Sequence, residues 1–295
     1  MQTTPYLFLN GDVPLAARVY RDTDDDLERQ PAVLVTGSWL TVQDQMPDHY
    51  ARALAARGYT VFTFDFAGFG ASGGTLRQAE IPARKIADIA TAARFVSNLS
   101  FVKPGGVGQL AVCASAQYAL AAIAGGAPIA SFASVAGWFH DTASVAPFYG
   151  GRPGVDARLE RARAALAAFT ATGEVATVPA YEAGNDQAAM FFELDYYTDP
   201  ARGAVATWRN EMAELSWLYW LGFDGLSSAS SVSTPTLLVH GDDCVLPDNA
   251  KAVHAALAGP AELVWTDGGQ TDFYDQPTQV AAAAAAADDH FRRTL

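Results

Sequence analysis

The stretch Gly108-Gln109-Leu110-Ala111-Val112-Cys113-Ala114-Ser115-Ala116-Gln117 decides how the rest of the chain is read. Its first half is a short apolar run, which predicts a strand buried on both faces. The continuation through Ala122 is small and helix-forming and stops at Gly125-Gly126, which predicts a helix. Cys113 stands between them, two residues after Ala111 and two before Ser115. That is the small-x-nucleophile-x-small spacing of a strained strand-to-helix turn that presents a nucleophile, here a thiol. Small neighbours are required because strand and helix backbones approach closely there. A helix N-terminus would also favour the thiolate form. The competing reading is a buried structural cysteine in an ordinary turn.

Bulk composition narrows the field. The chain has 295 residues, 50% of them apolar, enough for one large domain or one domain with an insertion. No apolar run approaches the roughly 18 residues of a membrane span, and the first residues lack a basic-then-apolar leader. Two cysteines suit a reducing compartment, so a cytoplasmic protein is expected. A net charge of −13 argues against nucleic acid or an anionic membrane as partner.

Upstream of the turn, residues 5–10 and 14–20 read as strands about Asn10-Gly11-Asp12, a hairpin signal. Residues 21–30 read as a solvated acidic loop, 32–36 and 60–65 as buried strands, and about 43–57 and 81–98 as helices. Downstream, residues 129–135, 235–240 and 262–266 read as strands, and 247–257 and 277–293 as helices. Such alternation predicts a mostly parallel α/β sheet with an antiparallel N-terminal hairpin. Between residues 142 and 228 it stops, giving way to helical stretches and many aromatics. The expected organisation is a core of residues 1–141 and 229–295 carrying a helical insertion of residues 142–228. Ligands of such sheets sit at the carboxyl ends of the strands. Ser38-Trp39, Asp65, Cys113, His140-Asp141, Asp243 and Gln270 fall there.

Four ordered pieces resemble the α/β-hydrolase family over nearly the whole length. Gly37-Ser38-Trp39 follows the third strand, and Asp65-Phe66-Ala67-Gly68-Phe69-Gly70-Ala71-Ser72 resembles the D-x-x-G-x-G-x-S loop. Cys113 occupies the nucleophile's turn. His240-Gly241-Asp242-Asp243-Cys244-Val245-Leu246-Pro247 is similar to the H-G-x-x-D-x-x-x-P segment that carries the triad acid. Counting back four from Pro247 gives Asp243, with Asp242 in reserve. A cysteine nucleophile is similar to that of the dienelactone hydrolases. The phrases Thr36–Thr41, Ala136–Asp141 and Asp272–Pro277 resemble more closely the subgroup labelled after X-prolyl dipeptidyl peptidases, which includes polyketide transferases of fungal pathways. The resemblance implies a helical lid after the sixth strand, an oxyanion hole from the amides of Trp39 and Ala114, and a catalytic histidine after the last strand. There the chain departs from the pattern. Matching Asp272-Phe273-Tyr274-Asp275 places Gln270 where the histidine belongs. An amide cannot take a proton near neutral pH. Ordinary ester or peptide hydrolysis by Cys113, Gln270 and Asp243 is therefore not expected.

His140, after the sixth strand, is the histidine expected nearest Cys113, either as a substitute base or as a hydrogen bond at the lid hinge. His49, His254 and His290 are expected on the surface and His240 in a turn. Ser115 is a weaker alternative nucleophile. Cys244 is expected two strands from Cys113, about 4.8 Å per step, beyond disulfide reach. Trp138, Tyr197, Trp217 and Trp220 are candidates to line an apolar pocket, the alternative being lid core. No metal-ligand spacing or P-loop occurs, so no cofactor is expected. The sequence thus points to an enzyme acting on an apolar, polyketide-like small molecule by acyl transfer or thioester/ester cleavage. Cys113 would act as a thiolate, with Asp243 and Gln270 orienting the site. The alternatives are a non-hydrolytic catalyst of cyclisation, elimination or rearrangement, and a binding protein with a degenerate site. A homodimer is left open.

Overall fold

The structure, a computed structural model, describes every residue except Asp24 and Asp26, so the loop expected over residues 21–30 lies in part outside the described residues. In chain order the elements before the insertion are β1 (Gln2–Asn10), β2 (Val13–Arg21), β3 (Gln30–Thr36), α1 (Met46–Ala55), β4 (Thr60–Phe64), α2 (Pro82–Ser97), β5 (Val102–Val112), α3 (Ser115–Ala124) and β6 (Ile129–Val135). The main strands form one eight-stranded sheet in the order β1-β2-β4-β3-β5-β6-β9-β10, where β9 is Thr236–His240 and β10 is Ala261–Trp265. β1 pairs antiparallel with β2, and β2 with β4; every other pairing is parallel. This is the α/β-hydrolase fold that the resemblance implied, built on the mostly parallel sheet that the alternation of elements predicted.

The central strands are apolar on both faces because helices cover both. Val33, Leu34 and Val35 of β3, Leu110, Ala111 and Val112 of β5, and Ala133 and Val135 of β6 are wholly buried. α1 and α9 (Pro277–Thr294) pack together on one side, and α2 and α3 pack together elsewhere on the sheet. α7 (Pro247–Ala256) follows β9, and the one-turn α8 (Asp272–Asp275) precedes α9. Cys244 and Cys113 are free thiols, with β6 lying between β5 and β9.

Register brings the site together. Thr36 pairs with Ala111, Val112 with Val135, Val135 with Val239, and His240 with Trp265. The loops leaving β3, β5, β6, β9 and β10 therefore open at one edge of the sheet. They carry Trp39, Cys113, Ala136, Asp243 and Gln270.

Between β6 and β9 the chain runs through α4 (Thr142–Val145), α5 (Gly151–Thr172), the paired two-residue strands β7 (Thr177–Val178) and β8 (Met212–Ala213), and α6 (Trp217–Trp220). It is less helical than the sequence suggested. After α5 the backbone follows turns and short 3-10 stretches, because Pro179, Gly184, Pro200 and Gly203 interrupt any helix there. Many of its aromatics nevertheless pack inward; Tyr196, Trp217 and Trp220 are wholly buried, while Phe192 and Tyr219 are exposed.

Candidate active site

Cys113 directly follows β5, in the turn, with φ +55°, a left-handed conformation that a residue bearing a Cβ adopts only under constraint. Its amide donates to Val135 O at 3.0 Å, and its carbonyl accepts from Ala116 N and Trp138 N, each at 3.0 Å. Ala111, Ala114 and Ala116 are wholly buried around it, so larger side chains at these positions would push strand and helix apart. Ser115 is occupied structurally: its hydroxyl accepts from Thr36 Oγ1 at 2.9 Å and donates to Val112 O at 3.1 Å.

The thiol lines a cavity of about 300 Å³ that Trp39, Trp138, Phe148, Tyr149, Tyr197 and Trp220 also line. Burial pushes the Cys113 thiol above its usual pKa. The hydroxyls of Ser38 and Tyr274 and the amides of Ala114 and Trp39 act against that shift, each by hydrogen bonding to the sulfur. Burial is the largest of these influences, so the net shift is upward. That direction runs against the thiolate expected at the helix terminus.

The loop bearing the Trp39 amide is pinned from below. Leu40, the next residue, has φ +60°, and its amide donates to Glu80 Oε2 at 3.3 Å. Glu80 is wholly buried and also takes the Lys85 ammonium at 2.7 Å and the Tyr118 hydroxyl at 2.7 Å. A carboxylate there is tolerable because a full charge and three donors answer it. Gly37 opens the same loop: a Cβ on it would stand 2.9 Å from Pro47 Cγ and from Thr41 Oγ1. Trp39 stacks on Trp220 of the insertion and meets Trp217 edge-on.

Gln270 follows β10, half-buried at the cavity wall. Its Oε1 accepts from Val245 N at 3.0 Å, while its Nε2 donates to Ala136 O at 2.8 Å and to the Tyr274 hydroxyl at 3.2 Å. Tyr274 stands 3.1 Å from Ser38 Oγ, which lies 3.4 Å from the Tyr197 hydroxyl. A row of hydroxyls thus runs from the glutamine past the thiol. Asp243 lines the cavity mouth, exposed and without a hydrogen bond or ion pair among the described residues. It does not orient Gln270, whose partners are backbone groups and a phenol.

His140 is not a substitute base. Its Nδ1 accepts from Trp138 Nε1 at 2.7 Å and its Nε2 meets Trp220 O at 2.9 Å, so the neutral ring has both nitrogens spent. Burial lowers its pKa to about 4. It joins the end of β6 to α6, and Asp141 beside it caps α4 through the amides of Ala143 and Ser144. Trp217 is also displaced from its expected place. It lies behind Trp39 against Tyr149 and the Arg158 guanidinium rather than at the cavity wall. His290 is buried and bound to Glu262 at 3.0 Å, not a surface residue. Trp138, Tyr197 and Trp220 do line the cavity. Sequence reasoning assigned no role to Ser38 or Tyr274. The available signals were adjacency to Trp39 for the first and the i, i+4 spacing from Gln270 for the second.

A second, outer groove of about 680 Å³ is lined by Pro147, Arg158, Asp186 and Phe191, and shares Phe148, Tyr149 and Phe192 with the inner cavity. Among the described residues no three His, Cys, Asp or Glu side chains are grouped to hold a metal ion, and no helix is long and apolar enough to cross a membrane.

The chain is 27% identical over 275 residues to the uncharacterized protein PA2218 of Pseudomonas aeruginosa, spanning 90% of this chain and 73% of the relative. The crystal structure of PA2218 superposes with a TM-score of 0.82, covering 98% of this chain and 94% of the other. The alpha/beta hydrolase GrgF from Penicillium sp. sh18 superposes at 0.84 with 19% identity, covering 100% and 99%. DcsB, in complex with its substrate analogue, superposes at 0.81 with 15% identity, covering 99% and 98%. Residues 32–283 match the model of the alpha/beta hydrolase family, and the chain belongs to that family.

Proposed function

We propose that the protein transfers an acyl group of an apolar, polyketide-like small molecule through Cys113, taking it from a thioester or activated ester. The observation that carries this is the pairing of a thiol at the nucleophile's turn with a hydrogen-bonded glutamine in place of a base. Thioester exchange needs no net proton acceptor, because the proton lost by Cys113 ends on the departing thiol. Hydrolysis of the acyl-enzyme needs a base to activate water, and Gln270 supplies none. The amides of Trp39 and Ala114, already directed at the sulfur, suit a developing oxyanion beside it. The aromatic cavity of about 300 Å³ suits a flat or long apolar acyl group. Residues 142–228 would close over it as a lid. The test is intact mass after incubation with the benzoyl thioester of N-acetylcysteamine. The expected result is one benzoyl adduct, absent in Cys113→Ala; an unmodified wild-type protein would refute the reading.

One feature favours a second reading: burial pushes the Cys113 thiol above its usual pKa, which works against a thiolate nucleophile. A non-hydrolytic catalyst would use Tyr274, Tyr197 and Ser38 as hydrogen-bond donors to a substrate oxygen, with Cys113 as part of the floor. In that case Cys113→Ala keeps most of the turnover.

A further inference from the structure

We propose that the Tyr274 hydroxyl carries the Cys113 proton to the departing group during acyl transfer, and that Gln270 is the positioning residue that aims it. The proposal rests on the acyl-transfer reading above. Gln270 has its hydrogen-bonding groups committed to the protein. The backbone N–H of Val245 meets one end of the amide at 3.0 Å, which identifies that end as oxygen. The nitrogen then faces Ala136 O at 2.8 Å and the Tyr274 oxygen at 3.2 Å, one hydrogen to each. Tyr274 therefore accepts a hydrogen bond from Gln270, and its own single proton must point elsewhere. The groups on the other side are Cys113, which lines the same cavity, and Ser38 Oγ at 3.1 Å. A histidine in place of Gln270 could accept from the phenol. A glutamine with its oxygen spent on Val245 can only donate, so it fills one lone pair of the phenol and leaves the other lone pair and the O–H on the thiol side, one to take a proton and the other to give one.

In the step, the Cys113 sulfur forms a bond to the thioester carbonyl carbon, and the bond from that carbon to the departing sulfur breaks. As it breaks, the thiol proton passes to the Tyr274 oxygen and the Tyr274 proton passes to the departing sulfur. Tyr274 ends neutral, as it began, and the products are an acyl-Cys113 and a free thiol. Burial raises the Tyr274 pKa well above that of an ordinary phenol, so a free phenolate is not an intermediate and the two transfers are concerted. Ser38, also bonded to Tyr197, holds the phenol from its other side.

Two measurements test this. The first is the rate of Cys113 alkylation by iodoacetamide against pH, read at the Cys113 peptide by mass spectrometry. Tyr274→Phe should shift the profile to higher pH and slow alkylation near pH 8 about tenfold, the effect of losing one charge-assisted hydrogen bond. Gln270→Ala should shift it in the same direction by less. A merely structural role would lower thermal stability and leave the profile in place. The second uses the unmodified protein: a proton inventory in H2O/D2O mixtures of acyl-adduct formation from the benzoyl thioester. Two protons in flight predict a curved dependence. A Tyr274→Phe profile that superposes on the wild type, or a linear inventory, overturns the relay while leaving the acyl-enzyme standing. Absence of any adduct on the wild-type protein overturns the acyl-transfer reading and the relay with it.

Discussion

Trp39 and Trp220 lie face to face, their ring centroids 4.3 Å apart and their planes 16° from parallel. One carries an amide directed at Cys113 and the other is wholly buried in the insertion, so the stack joins the reactive loop to the part of the chain above it. Trp220→Ala is expected to cost about 3–5 kcal/mol of folding free energy, the range for emptying a buried aromatic site. Urea denaturation checks the loss. Alkylation of Cys113 in the same variant should slow, because the Trp39 amide is no longer held against the sulfur. Trp220→Phe should retain much of both.

Restoring the base should change the fate of the acyl group. Gln270→His places an imidazole where the amide now contacts Tyr274 and Ala136 O. The expected outcome is that the acyl adduct, persistent in the wild-type protein, decays to free acid at neutral pH. A time course of intact mass after removal of excess thioester measures it. An equally long-lived adduct in the variant would mean that the missing histidine does not limit water attack.

Acid should weaken the tether between β6 and α6. The folded pKa of His140 is lowered to about 4 by burial, below the unfolded value near 6.5. A lowered folded pKa contributes stability that is whole above the unfolded pKa and is lost as pH falls through the folded one. The contribution therefore declines between about pH 6.5 and pH 4. Asp65 and Asp88, raised by burial, work in the opposite direction, so the comparison must be differential. The stability gap between wild type and His140→Gln should shrink by about 3 kcal/mol from pH 7 to pH 4. Denaturant melts at the two pH values read it.

The buried pair beneath the reactive loop should respond asymmetrically to its two deletions. Lys85→Met leaves the Glu80 charge buried with only Leu40 N and Tyr118 Oη as donors, an expected loss of about 3–5 kcal/mol. Adding Glu80→Gln in the same chain removes the uncompensated charge and should recover most of that loss. Equal destabilisation in the single and double variants would show that packing, not charge, makes the pair necessary.

Much of this was legible in the residues, for identifiable reasons. Strands such as Ala32–Thr36 and Ile129–Val135 are mostly apolar, and Pro82, Pro247 and Pro277 stand at helix starts, so periodicity and punctuation located them. The insertion beyond α5 has neither signal, and its shape follows from contacts with the sheet. Cys113 could be placed from spacing alone. Its ionisation could not, because burial is a property of everything packed around it. His140 looked like a base from proximity, and only the distances to Trp138 and Trp220 reveal a ring with nothing left to accept a proton. Tyr274 stood in a quoted motif yet carried no assignment. Its importance arises from Ser38, more than two hundred residues away in the chain, arriving 3.1 Å from its oxygen.

Phe148, Tyr149 and Phe192 wall both the inner cavity and the outer groove. The same three rings face both spaces, so a change of size at any one of them reaches the inner cavity and the outer groove together.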